Sequence, residues 1–194
     1  MKVETITQLI IFIPLLGSLL VPLAGAISPK LRSCWSVLIG GITAFLPLTL
    51  ITQALHGGEV LWSKRLALGL DFVLIIDPLS IFMSIVSSFI GFLIIIYSLG
   101  YMHHEDHQDE YYLMVVMFIG AMMGLVFSGS LVFIYLFWEI IAIACWRLIG
   151  FYRQKDYVLK ADKAFLMTFG GAVVMLLGFI LIYTQTGTFD LTAM

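Results

Sequence analysis

Glu139 is the residue whose type and position could do chemistry. It sits nine residues into the otherwise apolar stretch Leu131–Tyr152, where an acidic side chain at mid-membrane carries an insertion penalty of about 2.5–3.5 kcal/mol. Two readings follow. A neutral Glu139 hydrogen-bonds to an adjacent helix, or Glu139 takes up and releases protons or holds an ion. Intramembrane acids default to function. A carboxyl balanced between desolvation and a nearby cation can titrate at working pH, so a switchable cation is expected.

Arg147 lies eight residues further on, about 12 Å along a helix and about 80° around it. It could meet Glu139 only through water or a long reach, or it snorkels to the interface. Lys163, at the start of the next apolar stretch, is a second candidate for translocation or an interfacial anchor. His103, His104 and His107, with Glu105, Asp106, Asp109 and Glu110, form a loop that could collect protons. Its spacing matches no helical zinc-ligand pair, so no metal site is assigned.

These residues need spans to hold them. Uncharged stretches place spans near Thr5–Ala26, Cys34–Leu55, Pro78–Gly100, Tyr111–Phe127, Leu131–Tyr152 and Ala164–Gln185. Pro14, Pro22 and Pro47 predict kinks. Asp77, Pro78 and Ser80 mark a capped helix start. Leu66, Leu68, Leu70 and Phe72 alternate with smaller or polar residues, which predicts an extended strand or hairpin on the outer surface. Gly120 with Gly124, and Gly170, Gly171 and Gly178, predict close helix packing. The apolar run after Lys2 exceeds a signal-peptide core and is read as a retained helix.

Composition agrees. Of 194 residues, 61% are hydrophobic and 11% charged, and mean hydropathy is +1.08; soluble domains carry about 25% charged residues. The fold class is therefore all-α, a polytopic membrane protein forming a single membrane domain over residues 1–194. A net charge of −2 without a basic patch excludes a nucleic-acid partner. Cys34 and Cys145 read as buried small hydrophobes. No cofactor ligands and no nucleophile constellation are seen. With the N-terminus outside, Lys30, Arg32, Arg147, Arg153, Lys155, Lys160 and Lys163 face in, against Lys2, Lys64 and Arg65 outside. This bias predicts that both termini face out, in a cell inner or plasma membrane.

The chain resembles the antiporter-like subunits shared by respiratory complex I, where the largest such subunit is nearest, by Mrp cation/proton antiporters and by membrane-bound hydrogenases. The resemblance rests on Asp77-Pro78-Leu79-Ser80, on Tyr135-Leu136-Phe137-Trp138-Glu139 with Leu148-Ile149-Gly150-Phe151, on Lys163-Ala164-Phe165 and on Gly187-Thr188-Phe189. It covers roughly residues 60–194. It implies a subunit of a larger redox-driven or antiporter complex, in which the glutamate matching Glu139 works with a lysine on a later broken helix to move protons.

Three departures accompany the resemblance. The sequence stops after six spans, so the lysine helix is expected from another membrane subunit. Phe169 and Ala172 stand where the complex I branch has an arginine and an aspartate, and Trp146 and Arg147 replace residues that are usually uncharged. The expected function is proton or cation translocation within a larger complex. The alternative is a truncated homologue that only anchors the complex, with Glu139 neutral or paired to Arg147.

Overall fold

The computed structural model describes residues 2–55, 59–65 and 71–194. The helices are α1 (Val3–Leu19), α2 (Val21–Ile27), α3 (Pro29–Phe45), α4 (Ile51–Leu55), α5 (Pro78–Tyr101), α6 (Gln108–Phe127), α7 (Leu131–Ile149) and α8 (Lys155–Thr186). The strands β1 (Val60–Arg65) and β2 (Asp71–Ile76) lie between α4 and α5. Five helical segments are long and apolar enough to cross a membrane, and the bent pair α1–α2 makes a sixth. Five to six candidate spans agree with the expected helical membrane architecture.

Their boundaries differ from the expectation at two charged helix starts. The second span begins at Pro29, not Cys34, and takes in Lys30 and Arg32; the sixth begins at Lys155, well before Ala164. Two of the three prolines divide helices. α1 and α2 meet at a 41° bend just before Pro22. Pro47 opens a 3-10 turn, Leu46–Leu50, between α3 and α4. A proline lacks the N–H needed to continue a helix but suits its first turn. α1 runs unbroken through Pro14.

The hairpin pairs β1 with β2 antiparallel, from Val60 opposite Ile76 to Arg65 opposite Asp71. Leu66, Leu68 and Leu70 lie outside the described residues. Phe72 is on β2, and it is not a surface residue: Phe72, Leu74 and Ile76 are buried with Ile10, Ile11 and Phe127. The hairpin thus plugs one end of the bundle. Gly129 N–H donates to Val73 O at 2.8 Å, and Leu131 N–H to Phe189 O at 2.9 Å, so the α6–α7 turn and the segment after α8 are stitched to the same end. α5 starts there through a capping box: Ser80 N–H donates to Asp77 Oδ1 at 2.8 Å, and Asp77 N–H to Ser80 Oγ at 3.0 Å.

α6 is the central helix, packed against α1, α5 and α7. A Cβ at Gly120 would stand 2.8 Å from Leu15 N, and one at Gly124 would enter the Phe137 ring, so both glycines permit close helix approach as expected. The α8 glycines do not. A Cβ at Gly170, Gly171 or Gly178 meets nothing within 4 Å, because among the described residues α8 packs chiefly along α7. Half of the apolar window of α6 is buried, against 6% of that of α8. Cys145 is half-buried, but Cys34 is exposed, contrary to its reading as a buried hydrophobe.

Candidate functional site

α7 turns Phe133, Phe137, Ile140 and Ile141 into the core. At 3.6 residues per turn, Tyr135, Glu139, Ala142 and Trp146 then form a separate stripe along the same helix. Glu139 is half-buried. Its Oε1 is enclosed without a hydrogen-bond partner, while the Tyr135 side chain, one turn earlier, interacts with the carboxyl. A buried polar oxygen left unmatched is costly, so Oε1 is an acceptor whose capacity is unused within the described residues.

α8 crosses this stripe. Trp146 Nε1 donates to Asp162 Oδ1 at 2.9 Å, and its ring lies 5.4 Å from that of Phe165. Trp138, beside Glu139 in sequence, shares a cavity with Thr168, Gly171 and Ala172. Lys163 is exposed, level with Trp146 and about two turns of α7 from Glu139. Among the described residues no ion pair joins Glu139 to a cation.

Arg147 is engaged by Glu110 rather than by Glu139, the partner that the anchoring alternative offered it. Its Nη2 pairs with Glu110 Oε1, at the start of α6, and Arg153 Nη2 reaches Glu110 Oε2 at 2.6 Å. One carboxylate therefore binds two guanidiniums. A second pair stands beside it: Arg32 Nη1 donates to Asp109 Oδ1 at 2.8 Å, its Nη2 to Gln108 Oε1, and its guanidinium lies 5.5 Å from the Tyr112 ring centre. Tyr101 and Tyr152 share a hydroxyl hydrogen bond of 3.0 Å, which pushes the Tyr152 hydroxyl up to about 12. The Tyr152 hydroxyl therefore stays protonated near neutral pH.

His103, His104 and His107 are exposed at this end, with the first two rings 4.9 Å apart. Among the described residues no three potential ligands gather as a metal site. Sequence reasoning placed Asp109 and Glu110 in the histidine–acid loop and Arg32 and Arg153 among the inner-side cations, without pairing them. The available signal was opposite charges at the ends of spans that an even up-and-down order brings to one side.

Comparison with known proteins decides the family. Residues 62–112 match the model described as NADH-Ubiquinone oxidoreductase (complex I), chain 5 N-terminus. Residues 128–194 match NADH:quinone oxidoreductase/Mrp antiporter, TM. The chain belongs to this antiporter-like family. It is 32% identical over 92% of its length to the Na(+)/H(+) antiporter subunit A1 of Staphylococcus haemolyticus, and 30% identical over 98% to that of Staphylococcus aureus. It spans 23% and 24% of those two relatives, about a quarter of their length. The structure of the membrane-bound sulfane sulfur reductase, an archaeal respiratory membrane complex, matches 95% of this chain and 38% of its own with a TM-score of 0.85 at 20% identity. The antiporter-like membrane fold is therefore shared.

Proposed function

We propose that this chain supplies the N-terminal part of an antiporter-like unit that moves protons or cations across a membrane within a multi-subunit complex, with Glu139 as the titrating group. The observation that carries the reading is the enclosed, unmatched Oε1 of Glu139 within a membrane span. Protonation removes the charge and supplies a donor; an arriving cation stabilises the carboxylate instead. The two states differ in charge, so any helix that contacts this carboxyl differently in each will shift its population.

The cation comes from outside these 194 residues, because Arg147 is held by Glu110 and Lys163 stands about two turns away. α8 leaves its glycine positions open and nearly all of its surface uncovered, which suits further membrane helices of the same unit or of a neighbouring subunit. The lysine and arginine bias supports an arginine-rich end on the inner side, with both termini outside. Glu139→Gln in the reconstituted complex tests the reading: assembly should persist while proton movement stops. Unchanged proton movement would refute it.

A further inference from the structure

Arg147, Arg153, Trp146, Gly150, Val158 and Ala161 line a cavity of about 350 Å³ at the arginine-rich end. Its charges do not cancel locally. A guanidinium carries five N–H donors, and Glu110 engages a single nitrogen, Nη2, of each arginine. Among the described residues Nε and Nη1 of both have no hydrogen-bond partner. The Arg32 guanidinium is buried, with Nη1 and Nη2 held by Asp109 and Gln108 and Nε without a partner but enclosed, so it offers no open edge to this cavity. The end of α7 and the first turns of α8 carry Arg147, Arg153, Lys155, Lys160 and Lys163 against Asp156 and Asp162, and Glu110 is the acid paired with the two arginines. Asp162 is occupied by the Trp146 indole.

The backbone is shaped for this arrangement. Arg153 stands at φ 54°, a left-handed conformation that non-glycine residues hold only when their surroundings enforce it. Its N–H donates to Gly150 O at 3.0 Å, and its guanidinium is drawn to Glu110. Gly150 leaves the floor of the cavity without a side chain. The position is that of a head-group layer, with Trp146, Tyr101, Tyr152 and Tyr157 gathered at the span ends, where amphipathic rings concentrate.

We propose that this cavity binds the phosphate of an anionic phospholipid. Two guanidinium groups with free edges match phosphate oxygens in paired hydrogen bonds, and basic pockets between helices at a membrane face take lipid head groups. The single Glu110 pre-orients both arginines and leaves an excess positive charge for the ligand.

The test is lipid retention by the full chain, purified with the complex it belongs to and exchanged into nanodiscs of phosphatidylglycerol or phosphatidylcholine, read by native mass spectrometry after delipidation. Phosphatidylglycerol should be retained over phosphatidylcholine, and Arg153→Gln, at an exposed turn, should lower its retention about tenfold. Arg147→Gln should do the same, and Lys64→Gln at the hairpin end should not. Release of the lipid by inorganic phosphate alone would overturn the lipid as occupant. Equal retention of both lipids, or unchanged retention in Arg153→Gln, would overturn the site.

Discussion

Arg32 on α3 and Asp109 on α6 are joined at 2.8 Å across 77 positions of sequence, and the arginine side chain is only 9% exposed. This bond lets α3 carry a cation into the bundle. Gly25 of α2 closes over the same carboxylate, since a Cβ there would collide with it.

Asp109→Ala should therefore destabilise the chain by about 1–3 kcal/mol, below the roughly 3–5 kcal/mol for breaking a fully buried pair, because Asp109 itself is partly exposed. Asp106→Ala, at an exposed neighbour, should change little. Thermal unfolding in mild detergent would separate them, and equal midpoints would remove the structural role of the pair.

The two glycine groups should behave in opposite ways. Gly120→Ala places a Cβ against Leu15 backbone and should cost about 1–3 kcal/mol by overpacking. Gly171→Ala meets no neighbour and should leave the isolated chain unchanged or more stable by up to about 1 kcal/mol, since alanine is the better helix former. If further helices cover α8, Gly171→Leu should reduce co-purification of the partner while the chain's own melting midpoint is kept.

Trp146→Phe keeps the ring contact with Phe165 but loses the indole donor to Asp162. The expected loss is about 0.5–1.5 kcal/mol, together with faster hydrogen exchange in the first turns of α8. Exchange unchanged from Lys155 to Phe165 would show that this bond does not hold α8.

Local chemistry made much of this legible in the sequence. Asp77, Pro78 and Ser80 announce a helix start that the capping box realises, and the lone acid of the Leu131–Tyr152 stretch singles out Glu139. What escaped reading depends on partners remote in sequence. Arg32 and the charges at the start of α8 marked expected helix limits, yet the helices run through them, because Asp109 neutralises Arg32 and Trp146 engages Asp162. Arg147 had Glu139 as its nearest acid along its own helix, but Glu110, 37 positions away, lies at the same end of the bundle. Gly170 and Gly171 have the pattern of a packing stripe without a helix beside them among the described residues. Helix spacing reports which residues share a face; what that face meets is set by the order of the spans.

The most direct measurement is proton movement by the reconstituted complex with Glu139→Gln, followed with a pH-sensitive dye in vesicles alongside a check of subunit composition. The amide keeps the side chain's size but cannot titrate. Intact composition with proton movement abolished is the predicted result; intact composition with wild-type proton movement would contradict the assignment of Glu139 as the titrating group.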